Sequence, residues 1–219
     1  MRERPILFCG DMVRAILAGT KTQTRRVMKL QPSCSPELRI DPKWGVVAEW
    51  PGESEFDGFD CHCPYGQPGD RLWVREAWTL AAKERHDQFG DGSRIWPETM
   101  SRPHVQWYGN AVLNVIYRAD GEHVASDGER EHWHPGIHME RKASRLTLDV
   151  TEVRVQRLHD ISEDDAKAEG VEMSPLLSAT TPFRSAFIQL WESINSARGF
   201  GWDENPWVWA VTFRRVANG

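Results

Sequence analysis

The sequence predicts an α+β fold in which short strands outnumber short helices. Three observations carry this. Arg71 to Ala77 alternates, with Leu72 and Val74 on one side and Trp73 and Arg75 on the other, the period-two mark of a strand with one buried face. Arg145 to Leu158 holds a long β pattern, and Trp207 to Phe213 closes the chain as a strand rich in large residues. Clean helical spacing is confined to short stretches, chiefly Met12 to Ala18 and the run after Pro182.

The chain has 219 residues, enough for one large domain. Hydrophobic residues make up 40% and charged residues 27%, the balance of a globular protein that builds its own core. The net charge of -5 argues against a chain held on nucleic acid by bulk charge. It leaves room for a local basic site, and Lys21, Arg25, Arg26 and Lys29 cluster. Tryptophan, at 11, is unusually frequent. Indole buries much area and keeps one N–H donor, so it suits both a core with a polar edge and a platform for flat ligands. The cysteines lack the spacing of a disulfide framework, and no signal-peptide or membrane-span pattern is present. These features lead us to expect a cytosolic protein with no membrane partner.

Element by element, Ile6-Leu7-Phe8 reads as a short buried strand, and Asp11 as the N-cap of the first helix. Gly19 falls where a helix-terminating residue belongs. Thr20 to Arg26 reads as a polar loop, with a strand beginning in Val27 to Leu30. The proline-rich stretch 31–62 reads as an irregular insertion, interrupted by a short strand over Trp44 to Trp50. A second irregular insertion spans 79–136, with a strand candidate at Ala111 to Tyr117. In the long β pattern, Leu148 and Val150 share one parity and Val153 and Val155 the other, which predicts a bulge near Thr151. Ser162 heads a weak capping box with Asp165, and Gly170 closes the short helix. Thr181-Pro182 opens a longer helix with an apolar stripe of Phe183, Phe187, Leu190, Trp191 and Ile194. Together these describe a single domain, 1–219, with two insertions.

Gly19-Thr20-Lys21-Thr22-Gln23-Thr24-Arg25-Arg26 matches the pattern G-x-K-x-x-T-x-R directly after a short helix. Cys63-Pro64-Tyr65-Gly66 leads to Gly69-Asp70-Arg71-Leu72-Trp73-Val74-Arg75-Glu76, a strand ending in a carboxylate. The runs Ile137-His138-Met139, Ala143-Ser144-Arg145 and Asn205-Pro206-Trp207-Val208-Trp209 add further markers in order. On these residues the chain resembles the ASCH-domain family, and its later markers resemble a branch common in phage and prophage genomes. The resemblance implies a PUA-like mixed β-barrel with short flanking helices and a cleft between barrel and helices. It also implies RNA or a nucleoside as partner, since some members bind RNA and some small members remove the acyl group from N4-acetylcytidine. In those small enzymes a Lys, a Thr and a Glu do the chemistry, and the matching positions here are Lys21, Thr24 and Glu76. This chain is about twice their length and carries Glu140 and Lys142 where its branch more often has Pro and Trp.

The chemistry of these residues suits amide hydrolysis. A threonine hydroxyl becomes a nucleophile when a base takes its proton, and a lysine with a pKa lowered by burial is such a base. Glu76 would orient the ammonium or protonate the leaving amine, and Arg25 would stabilise the oxyanion. The bland alternative makes Lys21 and Glu76 an ion pair bracing a loop. A rival reading uses the same cleft to bind RNA without turnover, with Arg25, Arg26, Arg75 and Arg145 on phosphates and Trp73 or Trp78 stacked on a base. Ribonuclease action is a further alternative, and a virion-assembly role a distant one. Cys61-His62-Cys63 with Cys34 lacks the spacing of a zinc finger, and His132, His134 and His138 read as a surface loop. Neither a metal nor a cofactor is expected.

Overall fold

The computed structural model describes residues 1–32, 35–50, 59–80, 115–121, 133–173 and 182–216. Its main sheet has five strands in the order β1 (Glu3–Leu7), β6 (Arg71–Arg75), β9 (Thr147–Arg157), β10 (Trp207–Arg215) and β2 (Gln23–Val27). β1 runs parallel to β6, and the other neighbours are antiparallel. A second sheet, β3 (Glu37–Asp41), β4 (Gly45–Trp50) and β5 (Phe59–His62), packs Val46, Ala48 and Trp50 into the same core. A two-stranded ribbon pairs β7 (Trp78–Leu80) with β8 (Val115–Tyr117). With three short helices, α1 (Gly10–Leu17), α2 (Glu163–Ala168) and α3 (Pro182–Asn195), the architecture is mixed α+β. Among the described residues no helix is long and apolar enough to cross a membrane.

β10 is buried on both faces because two cores meet there. Trp207, Trp209, Val211 and Phe213 point into the main core with Ile6, Phe8, Val13, Ile16 and Leu72. Val208 points the other way, onto Phe187 and Trp191 of α3 and Leu158 and Ile161 behind β9. The expected bulge is present: Thr212 pairs with Glu152 but Phe213 with Val150, so Thr151 has no partner opposite it. The extra residue turns Val153 back onto the core side that Leu148 and Val150 already occupy.

Several expectations change at the level of pairing. Thr24, Arg25 and Arg26 lie in a strand, not a loop, because β2 takes its ladder from β10 over Gln23 to Val27. A polar strand is tolerated there because α2 supplies its side chains with charged partners. The stretch 31–62 is not irregular: its described residues form β3, β4 and β5, and the short strand expected at Trp44 to Trp50 is β4. β8 pairs with β7, whereas the partners considered for it, Trp107 and Tyr108, lie outside the described residues. The first helix is capped by Cys9 rather than Asp11, since residue 9 is the extended one. Asp11 sits in the first turn, where a carboxylate meets the positive end of the helix, and pairs with Arg14. Gly19 does terminate that helix, with φ of 77°.

The expected barrel is not closed by a ladder among the described residues. The edge strands β1 and β2 do not pair. Between them the Arg26 guanidinium donates to the Leu7 carbonyl and lies 5.1 Å from the Phe8 ring. The sheet is therefore curved enough to bring its two edges within one side chain of each other.

Gly170 sets how closely α2 approaches the start of β2. Its φ is 77°, and a Cβ there would stand 2.6 Å from the Lys21 Cβ and 2.9 Å from the Ala15 Cβ. We expect Gly170→Ala to destabilise the protein by about 3 kcal/mol, from strain plus overlap. Gly199, with a like φ but no atom within 4 Å, is the control. Gly199→Ala should cost about 1 kcal/mol in the same urea titration. Equal costs would show that the close approach contributes nothing.

Candidate functional site

The site is built where β2 meets α2. Lys21 bridges Glu169, and the Thr22 N–H donates to the Ala168 carbonyl at 2.8 Å. This draws the Lys21 side chain wholly inside, where Nζ donates to Glu169 Oε2 at 2.8 Å and to the Glu169 carbonyl at 2.8 Å. Arg25 donates to the other Glu169 oxygen at 3.1 Å and to Asp165 Oδ2 at 2.9 Å. Arg154 and Gln23 both reach Asp165 Oδ1 at 3.1 Å. Asp165 in α2 and Glu169 at its C-cap stand four positions apart, which brings both carboxylates to one side of the helix. The Ser162 hydroxyl caps that helix by accepting from the Asp165 N–H at 3.0 Å, as its position in the sequence predicts.

These contacts act on protonation. Burial pushes the Lys21 amine below the ordinary lysine value, and the Glu169 carboxylate only partly restores it. Burial works to raise Asp165, but the Arg25 charge and the Arg154 and Gln23 hydrogen bonds outweigh it, and its carboxyl lies below the usual range.

Glu76 belongs to a different pair. Arg145 holds it through two parallel bonds, Nε to Oε1 and Nη2 to Oε2, each 3.0 Å. Arg145 also donates to Asp120 at 2.8 Å and lies 4.0 Å from the Tyr117 ring. Burial raises the Glu76 carboxyl, against the pull of Arg145. The direct Lys21–Glu76 pair weighed from the sequence is therefore replaced by two pairs, Lys21 with Glu169 and Arg145 with Glu76. The aromatic platforms also differ from expectation. Trp78 is 1% exposed against Met139 and Ala143, and Trp73 is 8% exposed with Arg75 4.6 Å from its ring. Neither offers an open face to a base.

An open cleft of about 180 Å³ runs beside β2. Thr24, Arg25, Arg26 and Glu169 form its polar side, and Met12 with the α3 residues Phe187, Leu190, Trp191 and Ile194 forms its apolar side. Arg25 ties the two together, with its guanidinium 5.9 Å from the Phe187 ring. Tyr65 and Arg198 also line it. Thr24 is 2% exposed, and among the described residues its hydroxyl makes no side-chain hydrogen bond.

No family model matches the chain, and no curated protein does. A solved structure similar to it is the high-resolution crystal structure of an ASCH domain from Lactobacillus crispatus JV V101. The identity is 12%, the match covers 98% of this chain and 79% of that one, and the TM-score is 0.36. At that score and identity the likeness carries no argument for fold or activity.

Of the residues expected in one site, the structure gathers Thr24, Arg25 and Arg26 on the cleft, with Lys21 directly behind Glu169. Arg75 lines a neighbouring cavity, and Glu76 and Arg145 form their own pair. Sequence reasoning missed Asp165, Glu169 and Tyr65. The signal for the first two was present: two carboxylates at i and i+4 on a helix too short to need both on its surface. Tyr65 stood inside a quoted motif with no role assigned.

Glu169→Gln should leave Lys21 and Arg25 with too little negative charge around them. We expect a loss of about 3–5 kcal/mol in chemical denaturation, the scale for breaking a buried pair from one side. Glu49→Gln at the exposed Arg39–Glu49 pair should cost no more than about 1 kcal/mol. A second expectation concerns acid. Asp165 has a depressed folded pKa, so its contribution is present above the ordinary value of 3.8 and is lost as pH falls through the folded value. Asp165→Asn should flatten the decline of stability below about pH 4, and an unchanged slope would remove Asp165 from that limb.

Proposed function

We propose that this chain is an ASCH-type protein with a curved PUA-like sheet, and that its cleft between β2 and α3 binds a nucleoside, free or within RNA. The carrying observation is the cleft's division into two walls. One wall is apolar, from Met12, Leu190 and Ile194 over the buried Phe187 and Trp191. The other is polar, lined by Thr24 and Arg26 with the buried Arg25–Glu169 pair behind them. A nucleobase has an apolar face and a polar edge and needs both walls at once.

A second reading, hydrolysis of an N4-acylated cytidine, is favoured by the Lys21 amine. Its pKa is lowered by burial, and Thr24, three positions on, lines the cleft. In this reading Lys21 takes the Thr24 proton, and the alkoxide adds to the amide carbonyl. The amine leaves with a proton returned by the lysine, and water then releases the acid from the threonine ester. Glu169 is the carboxylate that orients the amine, and Glu76 braces Arg145 instead of carrying a proton.

Incubation with N4-acetylcytidine, with cytidine and with short RNA separates the two readings. Cytidine or RNA should bind, and Thr24→Val should keep the fold. If the second reading holds, acetate appears and Thr24→Val reduces its release by about a hundredfold or more. The rate should then rise with pH through an ionisation below the ordinary lysine value of 10.5. Binding without acetate would leave the first reading alone. Failure of all three probes to bind would remove both.

A further inference from the structure

A second cavity of about 210 Å³ opens in the gap between β1 and β2, lined by Pro5, Ile6, Leu7, Arg26, Tyr65, Arg75 and Ile137. It shares Arg26 and Tyr65 with the cleft described above, so the two are adjoining compartments of one groove. Its polar lining has a single sign. Arg26 and Arg75 supply guanidiniums, and Tyr65 a phenol, with no carboxylate among the described residues.

Part of the arginine set is neutralised by carboxylates. Arg25, Arg71, Arg141, Arg145 and Arg154 each hold a carboxylate within 3.5 Å. Among the described residues, Arg26 and Arg75 hold none. Arg26 spends one nitrogen on the Leu7 carbonyl and rests on Phe8, and Arg75 rests on Trp73. The Nε of each is buried without a hydrogen-bond partner. Buried donors without acceptors are costly, and an anion with several oxygens would supply what both lack. Arg198, on the far rim of the first cleft, is likewise outside any ion pair among the described residues. Among the described residues, Arg26, Arg75 and Arg198 thus place three cations without carboxylate partners along one groove of a chain with net charge -5.

We infer that Arg26 and Arg75 form a phosphate subsite beside the base cleft, so that the ligand is a nucleotide or a stretch of single-stranded RNA and not a free nucleoside. The inference rests on the base-binding reading and adds the phosphate to it. The base lies against α3, the sugar passes Tyr65, and the phosphate enters the gap between the two edge strands. Planar guanidiniums held on aromatic faces keep their outward donors fixed, the arrangement that suits a phosphate's oxygens.

Calorimetric titration with cytidine, cytidine monophosphate and ribose 5-phosphate tests this on the intact chain. The monophosphate should bind about tenfold more tightly than cytidine. Arg75→Gln should erase that preference and leave cytidine binding unchanged, and Arg75→Lys should keep most of it. A hexanucleotide RNA distinguishes the sources of the phosphate: tighter binding than the monophosphate, with steeper salt dependence, identifies a strand, and equal binding a mononucleotide. Equal affinities for cytidine and its monophosphate would overturn the subsite while the base cleft stands. Binding of the monophosphate and ribose 5-phosphate through Arg75, without cytidine binding, would uphold the subsite and overturn the base cleft. No binding by any probe would remove both.

Discussion

Glu169 carries two buried cations at once. Lys21 and Arg25 are both without solvent at their side chains, and each donates to one of its oxygens. Ions in such a place cost several kcal/mol apiece unless charges alternate and donors are matched. The alternation here runs from Lys21 through Glu169, Arg25 and Asp165 to Arg154. Because the carboxylates come from α2 and two of the cations from the start of β2, the network fixes how the helix sits on the strand. Gly170 permits the approach, and Arg25 extends the contact to Phe187 of α3. Both walls of the cleft are thus positioned by one set of charges.

Two groups stand out among the remaining arginines. Arg71, Arg141 and Arg145 brace the sheet against carboxylates on neighbouring elements. Arg26 and Arg75 line the groove and meet a carbonyl or an aromatic ring instead, and Arg198 stands on its far rim. On the proposed reading, the groove arginines are those that a ligand's phosphate would meet.

Much of the local structure was legible in particular residues. The helix ended at Gly19, the cap fell on Ser162, and the bulge lay at Thr151. Each depends on neighbours a few positions away, which a sequence displays directly. β2 was not legible, because Gln23, Thr24, Arg25 and Arg26 show no apolar alternation. Its side chains serve two faces that are polar for different reasons. Thr24 and Arg26 share the side of Val211 and Trp209 opposite them, while Arg25 turns to α2. β3 was hidden for the opposite reason, since most of its residues are exposed and no buried face imposes a pattern.

The sequence by itself determined the class of fold, the caps and breaks of its helices, and a cluster of polar residues after the first helix. These follow from backbone preferences and from side-chain periodicity over one or two turns. Only the tertiary structure decided which carboxylate Lys21 meets. Glu169 lies 148 positions away and Glu76 only 55, and sequence distance says nothing about which arrives. The choice rests on the crossing of α2 over β2 and on the energy of leaving an ion unpaired away from water, and both exist only once the chain has folded.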